Sequence, residues 1–196
     1  MQVLKDEIRQ WILSEALMLF LEKGYEKASM RELAQRVGTS VSNIYHYYAN
    51  KEDLFRAIAE PIASRVNHVL SEIITHEAQG PTELVREEYV TKEIGETIKA
   101  HRREFLVLMD RSGGTSYEHV RSDIISAVET HIIRHHLKDS KEARHPGGGF
   151  LMHFLATNLI EALVEIARHC DDEKEVEHSI HALMKYHIGG VARLMG

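Results

Sequence analysis

Ser29-Met30-Arg31-Glu32-Leu33-Ala34-Gln35-Arg36-Val37-Gly38-Thr39-Ser40-Val41-Ser42-Asn43-Ile44-Tyr45-His46-Tyr47-Tyr48-Ala49-Asn50-Lys51 is the stretch whose reading decides the fold. Ser29 and Glu32 have capping-box spacing, in which a serine and a glutamate satisfy two orphan N–H groups of a starting helix reciprocally. That helix carries Leu33 and Ala34 and closes at Val37-Gly38, glycine being the residue that takes a left-handed cap without steric cost. Ser40 then caps a second helix barely two turns long. So short a helix is stable only when packed on its neighbours. Ile44 and Tyr48, four apart, form its inward face. Ser42 and His46, also four apart, point the other way, with Asn43 and Tyr45 beside them.

Upstream, Ile8, Ile12, Ala16, Leu19 and Phe20 recur on one helical face, with Glu7, Arg9, Glu15 and Glu22 off it. Lys23-Gly24 ends that helix, a cation in its last turn and then a glycine. Three short helices, the third with a polar outer face, suit a helix–turn–helix. Such a motif presents hydrogen-bond donors to the major groove and the flanking phosphates. The four rings from Tyr45 to Tyr48 cannot all face inward on one helix. Packing alone therefore does not account for them.

Ala16, Phe20, Gly24-Tyr25, Ser29 to Ala34 and Val37 to Leu54 together resemble the TetR family of bacterial repressors over roughly the first quarter of the chain. The sequence departs from that pattern at Ser42, where glycine is frequent, and at Tyr48, where phenylalanine is usual. The resemblance implies that Val41, Ser42 and Asn43 face base edges. It also implies that Ser29, Arg31, Tyr45, His46, Tyr47 and Lys51 hold phosphates, with Met30 and Ser40 completing the DNA-facing set. A palindromic operator in double-stranded DNA, a homodimer and a small-molecule effector are the partners it implies, with no cofactor.

Charge placement agrees with a DNA-contacting head. The whole chain has a formal net charge of −6, wrong for an indiscriminate nucleic-acid binder. Residues 1–51 nevertheless carry seven bases against six acids, so the acidity resides in the remainder. An acidic body repels DNA and leaves contact to the head.

Past Lys51 the chain keeps a helical pattern, with no alternating strand pattern of any length. The expectation is an all-α fold of about nine helices: a three-helix head over 1–49, and a ligand-binding and dimerisation domain over 50–196. A fourth helix carries Leu54, Phe55, Ile58, Ile62, Val66, Val69 and Ile73, with Pro61 marking a kink. Gln79-Gly80-Pro81 breaks it. A fifth runs from about Thr82 to Ala100, and a short sixth holds Phe105 to Met109. Arg111 to Gly114 reads as a loop, and a seventh helix as Tyr117 to Leu137. Pro146 to Gly149 reads as the most flexible point, and the last two helices follow it, starting near Phe150 and Glu173. These are too apolar to be buried by one body, and a four-helix bundle between two copies would bury them. Two recognition helices would then lie about 34–36 Å apart, one DNA turn.

Ligand-lining candidates are apolar residues with occasional polar handles: Val66, Leu70, Tyr89, Phe105, Met109, Tyr117, Phe154 and Asn158. For the aromatic and methionine positions core packing is the commoner reading. Asn158 is singled out because a buried amide must find partners. A bond across the dimer would serve it equally well.

The chain has 14 histidines. His131 and His135 are four apart on one helix, with His136, His145 and His153 not far along the chain and Glu129 nearby, so a metal-responsive regulator of the same fold is an alternative. Their scatter and the lone Cys170 favour solvated histidines. One cysteine allows no intrachain disulfide and suits a reducing compartment. The N-terminus lacks a signal-peptide pattern. Charged and polar residues interrupt the apolar run from Phe150 to Ala167, so no membrane span is expected and the expected location is the cytoplasm.

An enzyme is not expected. His76-Glu77 starts a zinc-protease pattern but Gly80 occupies the second histidine's place. The glycine-rich stretches lack the lysine of a phosphate loop, and no nucleophile elbow occurs. A non-DNA-binding helical adaptor would suit the body and leave the Tyr45–Tyr47 face without a purpose.

Overall fold

The computed structural model describes residues 2–75, 83–136 and 148–195, and everything described is helix, turn or loop. Eight helices follow in order: α1 (Gln2–Lys27), α2 (Met30–Val37), α3 (Val41–Tyr45), α4 (Lys51–Thr75), α5 (Glu83–Asp110), α6 (Val120–His136), α7 (Gly148–His169) and α8 (Glu173–Met195). Two of them contain a break. Gly24 leaves helical geometry at φ 75°, ψ 166°, where Lys23-Gly24 was expected to end the first helix. That conformation is open to glycine and strained for any other residue. His101 breaks α5 at φ −134°, ψ 34°, where the fifth helix was expected to give way to a sixth. Pro61 lies inside α4, which continues to Thr75.

The chain divides into two compact units. The first contains Met1–Ser64 and His101–His119, the second Arg65–Ala100 and Val120–Gly196. The helix–turn–helix thus shares its unit with more of the chain than residues 1–49.

In the first unit α1 buries Ile12, Ala16, Leu19 and Phe20, α2 buries Leu33 and Ala34, and α3 buries Ile44. Phe55 of α4 sits edge-on to both Phe20 and Tyr25, with ring centroids 5.3 Å apart in each pair. Aromatic pairs in this geometry add to simple area burial. This explains why the unit extends past Asn50: the first turns of α4 supply part of its core. From the second part of α5, Phe105, Val107, Leu108 and Met109 are buried as well.

The capping box is realised by half. Ser29 Oγ accepts the Glu32 N–H at 3.1 Å, but the Glu32 carboxylate binds Lys23 at 2.7 Å and Arg36 at 3.3 Å. Two cations within reach are stronger partners for a carboxylate than a neutral N–H. Arg36 also grips Glu22, at 3.0 and 2.5 Å, so α1 and α2 are tied by alternating charges. Surface pairs of this kind orient helices more than they stabilise them.

Residues 111–119 form a tight loop, and α6 begins at Val120 rather than near Tyr117. Thr115 Oγ1 donates to the Ser112 carbonyl at 2.6 Å and accepts the Tyr117 N–H at 3.0 Å, while Glu118 reaches back to the Gly114 N–H. These side chains satisfy the backbone as turns, which removes the advantage of starting the helix earlier.

In the second unit Ile132 of α6, Met152 and Ala156 of α7 and Val191 of α8 form one buried cluster, with Ile125, Val128, Leu151 and Leu155 against it. Arg65 of α4 pairs with Glu93 of α5 and reaches the buried Thr97, and Arg121 of α6 pairs with Glu161 of α7. By length and composition the stretch Gly149–His169 is apolar enough to cross a membrane, so the interrupting residues do not by themselves exclude a span. Met152, Ala156, Leu159, Ile160, Leu163, Val164 and Ala167 are nonetheless buried within the protein, as on a core helix.

Candidate nucleic-acid interface

Ser40 begins α3. Its Oγ accepts the Asn43 N–H at 3.1 Å, and Gly38, at φ 73°, closes α2 just before it. Thr39 N–H bonds the Ala34 carbonyl at 2.9 Å, which fixes the turn between the two helices. Ile44 is fully buried and Tyr48 nearly so, and they anchor α3 from within. Tyr48 has a further tie: Arg9 of α1 lies over its ring and donates from Nε to its hydroxyl at 3.3 Å. A phenylalanine could not accept that bond.

The outer face carries Ser42, Tyr45 and His46, all exposed, with Val41, Asn43 and Tyr47 half-buried beside them. Tyr45 leaves 46% of its surface in solvent, high for a large ring with a packing role. On α2, Ser29 and Arg31 are exposed and Met30 is half-buried. Ser29 and Ser40 use oxygen lone pairs for capping, and each hydroxyl keeps a proton to donate. Asn43 Nδ2 donates to Thr39 Oγ1 at 2.9 Å, a contact overlooked in the sequence although the two are spaced i, i+4.

Lys51 is placed differently from the others. Its ammonium donates to the Tyr25 carbonyl at 2.7 Å and the Ala28 carbonyl at 3.1 Å, and it lies 4.1 Å from the Tyr25 ring centroid. Burial lowers its pKa from the ordinary lysine value. These bonds close the end of α1 against the start of α4.

Beside it, Glu52 accepts the Ser116 N–H at 3.1 Å and the Ser116 hydroxyl at 2.9 Å. Burial pushes Glu52 up. The Ser116 bonds, with Tyr25 and Arg56, outweigh it and hold the carboxyl below its ordinary value. Burial raises Tyr25, with a further contribution from its hydrogen bond to Glu52. Tyr117 donates its hydroxyl to Glu60, and burial first and that carboxylate second push it up to about 12. Sequence patterning gave no sign of the bonds from Glu52 to Ser116 and from Tyr117 to Glu60, whose partners lie 64 and 57 residues apart.

The ligand-lining candidates are divided between the two units. Phe105 and Met109 are buried and Tyr117 half-buried in the first unit, while Val66, Leu70, Tyr89, Phe154 and Asn158 belong to the second. Phe154 and Asn158 are exposed on α7, and Tyr89 on α5. Within the single chain the Asn158 amide is therefore exposed rather than buried. It lies one turn after Phe154 on the same solvent-facing side of α7. Among the described residues no three histidine, cysteine or carboxylate side chains gather as metal ligands. His153 Nδ1 instead meets Glu129 directly, at 3.0 Å. The side chains of His135, His136 and His145 lie outside the described residues.

Residues 12–58 match the family model for bacterial regulatory proteins of the tetR family. That segment therefore resembles the TetR family of regulators. The transcriptional repressor AcnR of Corynebacterium diphtheriae is 44% identical over 64 residues, 33% of this chain and 34% of that protein. The transcriptional repressor Rv1474c of Mycobacterium tuberculosis is 40% identical over 63 residues, 32% of this chain and 34% of that one. The match thus spans about a third of the length of these curated relatives. The transcriptional regulator AcrR of Shigella flexneri is 31% identical over 101 residues, 52% of this chain and 46% of that one. Among solved structures, the TetR-family member SCO3833 of Streptomyces coelicolor superposes with a TM-score of 0.65 at 21% identity, over 91% of this chain and 90% of that one. At that identity the likeness carries the fold alone.

Proposed function

We propose that this TetR-type chain is a transcriptional regulator, a repressor that binds a palindromic operator as a homodimer and is released by a small-molecule effector. The observation that supports it best is the capped α2–turn–α3 element. Buried Ile44 and Tyr48 hold its short second helix rigid while Ser42, Tyr45 and His46 stay in solvent. In this reading Val41, Ser42 and Asn43 meet base edges. Ser29, Met30, Arg31, Ser40, Tyr45, His46 and Tyr47 fix the helix on the phosphates, which position without specifying. The similarity to AcnR, Rv1474c and AcrR supports the regulatory role.

Exposed apolar residues on the last two helices support the dimer. Phe150 is 75% exposed and Phe154 48% on α7, and Tyr186 is 79% and Leu194 43% exposed on α8. Bulky rings in solvent on a helix pair otherwise anchored by a buried cluster mark a surface for another chain. A second copy is the occupant in this proposal, and it would place the two heads on successive major grooves. Val66 and Leu70 remain the effector-lining positions we favour, being apolar and half-buried on α4.

The test is iterative selection from a random DNA pool, followed by titration of the selected duplex across salt. A palindromic consensus and a steep salt dependence are expected; binding without sequence preference would overturn the reading. Ligands found by thermal-shift screening should bind more weakly in the presence of that duplex. For a coupling of about 1–3 kcal/mol the factor is roughly 5–150, by linkage the same in both directions. Equal ligand affinity with and without DNA would remove the effector from the proposal.

A further inference from the structure

Asn43 is held at two points before any DNA arrives. Its backbone N–H is bonded to Ser40 Oγ, and its side-chain amide donates to Thr39 Oγ1 at 2.9 Å. The Thr39 backbone is fixed in turn, its own N–H bonded to the Ala34 carbonyl behind the left-handed Gly38 cap. An asparagine amide otherwise turns about a broad, roughly two-fold torsion, and a half-turn exchanges its donor and acceptor ends.

We propose that Thr39 is a specificity-determining positioning residue, which sets the Asn43 amide so that α3 reads an adenine in each operator half-site; this rests on the DNA-binding reading above. The amide carries two N–H donors and one carbonyl oxygen. Thr39 takes one N–H. The N–H and oxygen left over form a donor–acceptor edge of fixed order, which is the complement of adenine N7 and N6–H₂ in the major groove. Guanine offers two acceptors there and would leave the Asn43 oxygen facing another oxygen. The α3 position of Asn43, flanked by exposed Ser42 and by Val41, is where base edges are met in this docking. Thr39 touches no base in this arrangement. It acts through Asn43 alone.

Thr39→Val keeps the β-branched shape and deletes the hydroxyl, while Thr39→Ser keeps the hydroxyl. The full-length chain and these variants, with Asn43→Ala, are titrated against the selected operator and against duplexes changed one base pair at a time. A non-operator duplex is the control. The wild type should favour adenine at one position per half-site by about 5- to 150-fold. Asn43→Ala should lose that preference alone. Thr39→Val should lose most of it at the same position, with unchanged affinity for the non-operator duplex, and Thr39→Ser should retain it. A Thr39→Val variant with full adenine preference overturns the proposal and leaves the DNA-binding reading standing. So does a wild type that prefers guanine at the Asn43-dependent position. Failure of the wild type to select any sequence overturns both.

Discussion

The carboxylate of Glu52, in the first turn of α4, accepts both the backbone N–H and the hydroxyl of Ser116, 64 residues later in the chain. Close by, the Tyr25 N–H bonds the Arg111 carbonyl at 3.0 Å, and the Tyr117 hydroxyl reaches Glu60. The loop of residues 111–117 is thus fastened to the end of α1 and the start of α4 by backbone and side-chain bonds together. All of these residues lie in the unit that contains the helix–turn–helix.

Glu52→Gln should therefore destabilise the first unit, by about 1 kcal/mol, since a neutral amide oxygen accepts these bonds more weakly than a carboxylate. The pH dependence follows from the lowered pKa of Glu52. A carboxyl depressed in the folded state contributes stability above its unfolded pKa and loses it as pH falls through the folded value. The wild type should lose this contribution on acidification below the ordinary glutamate range, and Glu52→Gln should lack that part of the dependence. Urea unfolding at neutral and at acidic pH measures it. Parallel curves for the two proteins would show that Glu52 contributes nothing.

Lys51 is expected to act as a strut. Its ammonium bonds two carbonyls at the end of α1, so Lys51→Met, which keeps most of the chain length, leaves both without that donor. A loss of about 1–3 kcal/mol in thermal or denaturant unfolding is expected. The slope of DNA affinity against salt should stay within half a unit of the wild type. A drop of about one unit would return Lys51 to the phosphate role implied by family resemblance.

Residues 29–51 show what a sequence discloses readily. Caps, the stop at Gly38 and the inward pair Ile44 and Tyr48 are all set by local rules over three or four residues, so spacing is enough to read them. The break at His101 was legible for the same kind of reason, because the apolar run Phe105–Met109 suits a buried short helix better than the amphipathic turns before it. Glu52–Ser116 and Lys51–Tyr25 were not legible. They depend on which surfaces meet in three dimensions, and nothing in the local pattern of either partner announces the other. The exposure of Phe154 and Asn158 was not legible for a different reason. Periodicity tells that a helix has an apolar side but not whether the cover is its own core or a second chain.

Tyr45→Ala should weaken binding to operator and non-operator DNA by similar factors, leaving the base preferences at every position unchanged. Its exposure means that folding should be nearly unaffected, within about 0.5 kcal/mol. The pairing of unchanged stability with weakened, sequence-independent binding would be hard to obtain from a packing residue. A Tyr45→Ala protein that binds DNA like the wild type would remove this ring from the interface.

Dimerisation is tested best on residues that the protomer itself does not need. Leu163 is only 6% exposed, so Leu163→Arg would place an unpaired charge in the protomer core and unfold it whatever the assembly. Tyr186 and Phe154, 79% and 48% exposed, offer a cleaner experiment. Neither Phe154→Glu nor Tyr186→Glu leaves a cavity in the protomer, and each places a charge where a second copy would have to exclude water. The double variant should keep its helical circular dichroism and sediment as a monomer, while the wild type sediments as a dimer. With one head per molecule, operator affinity should fall by about 10²–10⁴-fold, because the second contact is no longer intramolecular. Binding of the isolated half-site should be unchanged. A double variant that remains dimeric would move the interface away from this face of α7 and α8, and one that is monomeric yet binds the full operator as tightly as the wild type would break the link between assembly and recognition.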